Sequence, residues 1–500
     1  MAWVSSAAAA GTLLTNAPAS AHAARRTLPD EAFSTRVRPQ ALDDLTELTI
    51  SESMALLRAG TVTPADLVNA HVDRIEAFDG DYRAFADRPG REPLLAQALR
   101  TPIEGPHAPL RGICLTPKDN FYTADLLTEG GSAVFEGFQP DYDATAVALL
   151  RAAGGLVVGK AQMGNLAGGR ARVYGGTTPT TRHAWSPEDP ALSPGGSSSG
   201  TATAVATRMA VAGLGTQTGG SVTGPGNAQG LTCLKPTFGR VSLHGIIPLS
   251  YTRDHVGVMA RDTLDAAILL QVLAVPDPLD PRTLGLPAPP SYVRAATPYG
   301  GERPAVRWPT RVGLWPGYLS PERNPGEMEL RRGFVSGMER TSGVDVVGEL
   351  TLPDQWEELT SSPLGGSHGD PTAFFIEHLR RDVRLFGDRL PRFLNGMLQS
   401  ADTYVKVQQA RQLLLQRILT QLFNQCDVVL TPSTDAFDGT GLPLLCMPVG
   451  LDTDGETGRT VPRGVTLAAR PFGEERLLAV AAAWQAASDH HRRRPDDPAP

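Results

Sequence analysis

The chain has 500 residues, 41% of them hydrophobic and 20% charged, with a formal net charge of −7. That length and apolar content suit one large core or two ordinary domains and exclude a generally disordered polymer. With an acidic balance and no lysine- or arginine-rich run, the chain has no footprint for nucleic acid or an anionic membrane, and a small diffusing substrate is the simpler expectation.

Met1 to Ala23 run through an Ala-rich stretch to Ala21-His-Ala23, like the small-residue end of a secretory signal, but lack its basic start. A signal missing its beginning and a disordered extension over residues 1–44 stand as alternatives. No apolar run reaches transmembrane length, so no integral membrane segment is expected. The expected location is the cytoplasm, with export through a truncated signal as the alternative.

Ser51 to Leu57 and Thr63 to Phe78 read as helices. In Thr63-Pro-Ala-Asp66 an N-cap, a proline at the first helical position and an acid at the third mark a helix start. Asp143 is the expected cap of a helix carrying Val147, Leu150 and Arg151. Gly154-Gly155 ends that helix before the apolar strand Leu156 to Val158, which predicts α/β layering.

From Pro194 to Gly230 glycine, serine and threonine dominate around an apolar stretch, Thr201 to Val211, long enough for a packed helix and unlike a flexible linker. The proline-rich segment Pro276 to Pro309 reads as a surface excursion before a strand, Thr310 to Leu314. Residues 325–425 read as mainly helical, with Phe374, Leu379, Val383 and Leu385 at amphipathic spacing. Asp427-Val-Val-Leu430-Thr-Pro432 reads as a buried strand ended by proline, and residues 488–500 as a disordered tail. No internal repeat is evident.

The four cysteines, Cys114, Cys233, Cys426 and Cys446, stand singly among apolar residues and read as buried thiols. Lysine is scarce: Lys118, Lys160, Lys235 and Lys406 are the whole set. Arginine cannot replace lysine as a base because it stays protonated.

If one pocket holds Lys118, Ser197 and Ser221, they form a base, a relay hydroxyl and a nucleophile. A free lysine of pKa near 10.4 is neutral in about one molecule in a few thousand at pH 7. Lowering it by roughly three units involves about 4 kcal/mol, within the reach of burial. Cys114, Leu115 and Pro117 give Lys118 an apolar approach, and Asp119 and Asn120 offer polar contacts. Gly219 and Gly220 permit a tight turn before Ser221, with successive N–H groups aimed at one space, as a developing oxyanion requires.

Gly196-Ser-Ser198-Ser-Gly200 also fits the G-x-S-x-G elbow of another hydrolase class, with Ser198 as nucleophile and His368 or the His490-His491 pair as a late histidine. Ser193-Pro194 is a poor strand end for that arrangement.

Gly195-Gly-Ser-Ser-Ser-Gly200, Gly215-Thr-Gln-Thr-Gly-Gly-Ser221 and Gly230-Leu-Thr-Cys-Leu-Lys-Pro-Thr-Phe-Gly-Arg-Val241 together resemble the signature block of the amidase signature family. The likeness continues through Gly112 to Asp119, Gly159 to Met163, Asp254 to Arg261, Gly441 to Gly450 and Arg470 to Glu475, thinning between 275 and 425. The resemblance implies an α/β fold with a large mixed sheet between helical layers, a catalytic domain over 45–487, and a variable, substrate-shaping region over 320–425. It implies Lys118 as base, Ser197 as relay serine, usually entered through a cis peptide bond, and Ser221 as the acyl-accepting nucleophile. Thr218, Gly219, Gly220 and Ser221 would supply oxyanion-hole N–H groups. No metal or organic cofactor is required.

Family members often carry an acid four residues before the nucleophile and an arginine two after it; Gln217 and Thr223 stand there instead. Absent together, the two charges leave no buried partner orphaned, which predicts a neutral rearrangement. His183, His244 and His255 read as packing or surface residues, and Lys160 and Lys235 as structural braces. The leading expectation is an amidase acting on a small linear carboxamide. The competing readings are the amidase subunit of a glutamine-dependent amidotransferase, and a family member that binds without catalysis.

Overall fold

The computed structural model describes residues 37–100, 108–169, 180–301, 303–320, 324–361 and 369–498. The signal-like reading of residues 1–23 and the candidate His368 lie outside them. Helix α1 (Ile50–Ala59) starts at a capping box between Thr49 and Glu52, and α2 (Pro64–Tyr82) at the expected one between Thr63 and Asp66. Helix α3 (Thr145–Ala152) follows, but Asp143 does not cap it. The N-cap is Ala144, and Asp143 instead accepts the Ala124 N–H and faces Arg151 at 3.3 Å.

The strands in chain order are β1 (Phe85–Asp87), β2 (Cys114–Pro117), β3 (Leu156–Val157), β4 (Lys160–Ala161), β5 (Ala212–Gln217), β6 (Thr232–Lys235), β7 (His255–Ala260), β8 (Ala305–Leu314), β9 (Ser342–Glu349), β10 (Val428–Leu430), β11 (Leu444–Thr453) and β12 (Thr460–Ala469). β1 pairs with β4, and the other ten make one mixed sheet in the order β3-β2-β5-β7-β6-β11-β12-β10-β8-β9. β2, β3 and β5 run parallel at one end, as do β8, β9 and β10 at the other; the strands between them pair antiparallel.

Side chains of alternate strand residues face opposite ways, so each sheet face has its own core. Leu234, paired with Val258 and Leu445, belongs to the largest apolar cluster, which helices α6 (Thr263–Leu273) and α11 (Glu474–Ala487) cover with Ile268, Leu270, Leu477 and Val480. Its neighbour Cys233, paired with Met259 and Cys446, faces a second cluster formed with Ala202 and Val205 of α4 (Ser199–Ala206) and with Val222, just before α5 (Thr223–Gln229). The sheet therefore lies between helical layers, as expected. All four cysteines are buried and free.

Four local expectations are corrected. α4 ends at Ala206 rather than Val211, because Arg208 turns the backbone to a φ of 63° and the chain enters β5. β9 interrupts the helical region: among the described residues it pairs only with β8, at the sheet edge, and its half-buried, period-two pattern carries little apolar signal. β8 starts at Ala305 and passes through Pro309, which falls in a break of the register and so withholds no ladder bond. Residues 489–498 are not a loose tail. Arg494 pairs with Glu47 at 2.8 Å and Asp44 at 3.3 Å, Asp497 bonds Arg74, and the His490 ring stacks on Trp484.

Between residues 320 and 425 lie helices α7 (Pro325–Glu339), α8 (Gly369–Arg381), α9 (Leu390–Leu398) and α10 (Ala401–Arg417), among shorter helical turns. Phe375 and Leu379 of α8, one turn apart, enter an apolar cluster with Phe135, Leu166, Ile247 and Phe393, whereas Phe374 and Val383 are exposed. The buried face thus keeps Leu379 as expected and takes Phe375 in place of Phe374. Among the described residues no helix is long and apolar enough to cross a membrane.

Candidate active site

β2 and β5 are parallel neighbours, and their carboxyl ends open where ligand crevices form in such sheets. Lys118 directly follows β2 and donates its N–H to Leu214 of β5 at 2.9 Å. Its side chain is fully buried, and Nζ lies 2.6 Å from Ser197 Oγ, 2.9 Å from Thr216 Oγ1 and 3.4 Å from the Thr216 carbonyl. Ser197, also fully buried, comes from the loop before α4, and the Gly196–Ser197 peptide is cis. Close approach shapes this loop. Gly195 has a φ of 78°, and a Cβ there would meet Pro225 Cα at 2.6 Å.

Burial brings the Lys118 ammonium down to about 7, and the charge of Asp254 opposes part of that fall. Asp254 is itself buried, which raises its carboxyl above the usual range. It accepts from Thr218 Oγ1, from Leu249 N–H at 2.7 Å and from Ser250 N–H at 2.9 Å. The three contacts of Nζ suit a neutral amine: two N–H bonds fit the hydroxyl and carbonyl of Thr216, leaving the lone pair for the Ser197 O–H. Asn120 Nδ2 donates to Thr216 Oγ1 at 3.1 Å and to the Ile247 carbonyl at 3.2 Å, fixing that hydroxyl from the other side.

Lys118 and Ser197 thus touch through side chains, whereas Ser221 is tied by backbone to Ser198, the residue after the relay serine. The Ser198 N–H donates to the Ser221 carbonyl at 3.2 Å, and the partly exposed Ser221 hydroxyl forms no hydrogen bond among the described residues. Gly220, at a φ of 75°, makes the turn before Ser221. The N–H groups of Gly219 and Ser221 have no backbone partner among the described residues, and open space stands where a Gly219 Cβ would lie. The Gly220 N–H differs. It donates to Asp438 Oδ2 at 2.8 Å, so of the four N–H groups expected to face an oxyanion this one is already engaged.

Gln217 and Thr223 bond each other without charge, and a buried ion pair stands beside them. Gln217 Oε1 accepts the N–H groups of Val222 at 2.8 Å and Thr223 at 2.9 Å and the Thr223 hydroxyl at 3.2 Å. Its Nε2 donates to Asp438 Oδ1 at 2.8 Å, and Lys235 Nζ stands 3.7 Å from the same carboxylate. A buried acid and a buried cation are therefore present, drawn from distant parts of the chain. Lys235 also donates to the Leu442 carbonyl at 2.5 Å, and burial lowers its pKa to about 8.

The remaining candidates have structural partners. Ser198 is fully buried with its hydroxyl on the Thr216 carbonyl at 3.4 Å, unlike an exposed elbow serine. Lys160 donates to Thr128 Oγ1 at 2.7 Å and stands 3.4 Å from Asp119. His183 Nδ1 accepts the Trp185 N–H, His244 stacks on Tyr142, and His255 lies between Lys235 and the Gln217 carbonyl. Among the described residues no three His, Cys, Asp or Glu side chains converge as a metal site. Sequence reasoning misses Thr216, Asp254 and Asp438 as site residues. The first two lie inside the motifs named above, and Asp438 lies in none.

Comparison with known proteins gives the family. The amidase family model matches residues 66–353. The chain belongs to the amidase family. It is 32% identical to the A subunit of the glutamyl-tRNA(Gln) amidotransferase of Roseiflexus sp. (strain RS-1), over 91% of this chain and 99% of that protein. It is 30% identical to the putative amidase AmiD of Mycobacterium tuberculosis (strain ATCC 25618 / H37Rv), over 91% and 98%. Native peptide amidase from Stenotrophomonas maltophilia superposes with a TM-score of 0.73 at 28% identity, covering 91% of this chain and 98% of that one. This amidase-family chain is accordingly an enzyme of amide C–N bonds, on the mixed-sheet fold its motifs implied.

Proposed function

We propose that the protein hydrolyses the C–N bond of a small linear carboxamide through an acyl-enzyme on Ser221, with Lys118 as base and Ser197 as relay. The observation that carries this reading is the 2.6 Å contact between Ser197 Oγ and a fully buried Lys118 whose pKa falls to about 7. Neutral Lys118 takes the Ser197 proton, Ser197 takes that of Ser221, and Ser221 Oγ attacks the amide carbonyl. The N–H groups of Gly219 and Ser221, with that of Thr218, receive the developing oxyanion, while Gly220 stays with Asp438. Reversing the relay protonates the leaving amine, and water releases the acid. The helical region contributes the outer pocket. Asp370 of α8 accepts from Ser250 Oγ at 2.7 Å and Tyr404 at 2.7 Å and bonds Thr252, which ties α8 and α10 to the loop carrying Asp254.

The test is a fluorophosphonate probe followed by mass spectrometry. An adduct on Ser221 supports the relay; an adduct on Ser198, or none, contradicts it. A second reading is favoured by the likeness to the glutamyl-tRNA(Gln) amidotransferase protein: the same site would release ammonia from glutamine for partner subunits. Glutaminase activity that rises with co-purified partner subunits would select that reading over a free-standing amidase.

A further inference from the structure

The turn that presents Ser221 is held by a carboxylate far away in sequence. Asp438 is 1% exposed, and both of its oxygens face donors of that turn: Oδ2 accepts the Gly220 N–H, and Oδ1 accepts Gln217 Nε2, each at 2.8 Å. The orientation of the Gln217 amide is forced. Its oxygen receives the N–H groups of Val222 and Thr223, so its NH2 must find an acceptor on the other side. Asp438 thereby engages the residues before and after the serine, one N–H directly and two through Gln217. Lys235 Nζ, 3.7 Å away, supplies the balancing charge a buried carboxylate needs. Asp438 is placed by a short helical turn, Asp435–Gly439, and its own N–H bonds the Thr434 carbonyl at 2.7 Å.

We propose that Asp438 is a positioning residue for the nucleophile, fixing the Gly219-Gly220-Ser221 turn through Gly220 and Gln217. The role rests on Ser221 being the nucleophile. Gly219 and Gly220 have no side chains to lock their backbone, so the turn is defined by what its N–H groups bond. A shift of about 1 Å in a reacting atom costs on the order of a hundredfold in rate.

Donor and acceptor counting designs the test. In Asp438→Asn both neighbours are still donors, yet the amide offers one acceptor oxygen, so one contact becomes donor against donor. In Gln217→Glu two carboxylates face each other. In the double variant the polarity reverses and the hydrogen bonds of the turn are restored, while the negative charge beside Lys235 moves to position 217. The new amide at position 438 donates to the new carboxylate at position 217 and accepts from Gly220, and that carboxylate still accepts from Val222 and Thr223.

The readout is the second-order rate of fluorophosphonate labelling, in which Ser221 Oγ bonds phosphorus and fluoride leaves, with the adduct mapped and thermal midpoints recorded. Each single variant should label about 10- to 100-fold more slowly. The double variant should return to within about fivefold of the wild type, a coupling that mere loss of packing does not produce. Where a single variant fails to fold, a double variant that folds and labels still supports the role. Single variants labelling at the wild-type rate, or a double variant no faster than the slower single, overturns it. A wild-type enzyme with no adduct on Ser221 overturns the nucleophile assignment and the positioning role with it.

Discussion

Thr216 Oγ1 lies 2.9 Å from Lys118 Nζ, and the hydroxyl that orients the amine is itself held at 3.1 Å by Asn120. This contact makes Thr216 more than a residue of β5. It directs two of the amine's bonds and leaves the third direction to Ser197. Thr216→Val should lower kcat by about fivefold, because one orienting hydrogen bond of order 1 kcal/mol is lost beside an apolar methyl. Hydrogen bonds to a charged group exceed those to a neutral one, so the loss should also lower the Lys118 pKa by roughly half a unit to one unit. Thr216→Ser should restore both kcat and the pH profile, as amide-hydrolysis kinetics across pH will report.

The activity of the wild type should rise with pH through about 7, as Lys118 loses its proton and becomes a base. Asp254 holds that pKa up through its negative charge, so Asp254→Asn should shift the rising limb to lower pH. A shift to higher pH would assign the titration to another group. Thermal midpoints belong in the same experiment, since Asp254 also accepts from Leu249, Ser250 and Thr218.

The two serines should respond differently to removal. Ser221→Ala should abolish both hydrolysis and probe labelling. Ser197→Ala should leave Ser221 chemically present but without its proton acceptor, with labelling slowed about 10²- to 10⁴-fold. Equal effects on labelling from both substitutions would contradict a relay.

Removing residues 489–500 should destabilise the fold without removing activity. The segment contributes partly exposed pairs, Arg494 with Glu47 and Asp497 with Arg74, and the nearly buried His491. Exposed pairs contribute little each, so a loss of about 1–3 kcal/mol is expected in chemical denaturation. Hydrolysis kinetics of the shortened chain should match the full chain.

What can be read from the sequence follows from how local each determinant is. The Lys118, Ser197 and Ser221 segments are short motifs whose glycines and serines carry their own conformational demands. The capping box at Thr63 likewise needs only four residues. Asp438 is invisible in sequence because its partner Gly220 is 218 residues away, and nothing near Asp438 hints at a buried acceptor. The choice of Phe375 over Phe374 depends on which helix face meets Phe135 and Phe393. Asp143 misleads because a carboxylate before a helix can serve a neighbouring loop as well as a cap.

The central claim is that a neutral lysine starts the reaction, and amide hydrolysis by Lys118→Arg tests it most directly. Arginine keeps the positive charge and hydrogen-bonding donors but does not give up its proton. The prediction is no hydrolysis above background at any pH, with a lowered thermal midpoint because a guanidinium that stays charged replaces a buried amine that can become neutral. A Lys118→Arg enzyme that hydrolyses the amide at a rate comparable to the wild type would contradict it.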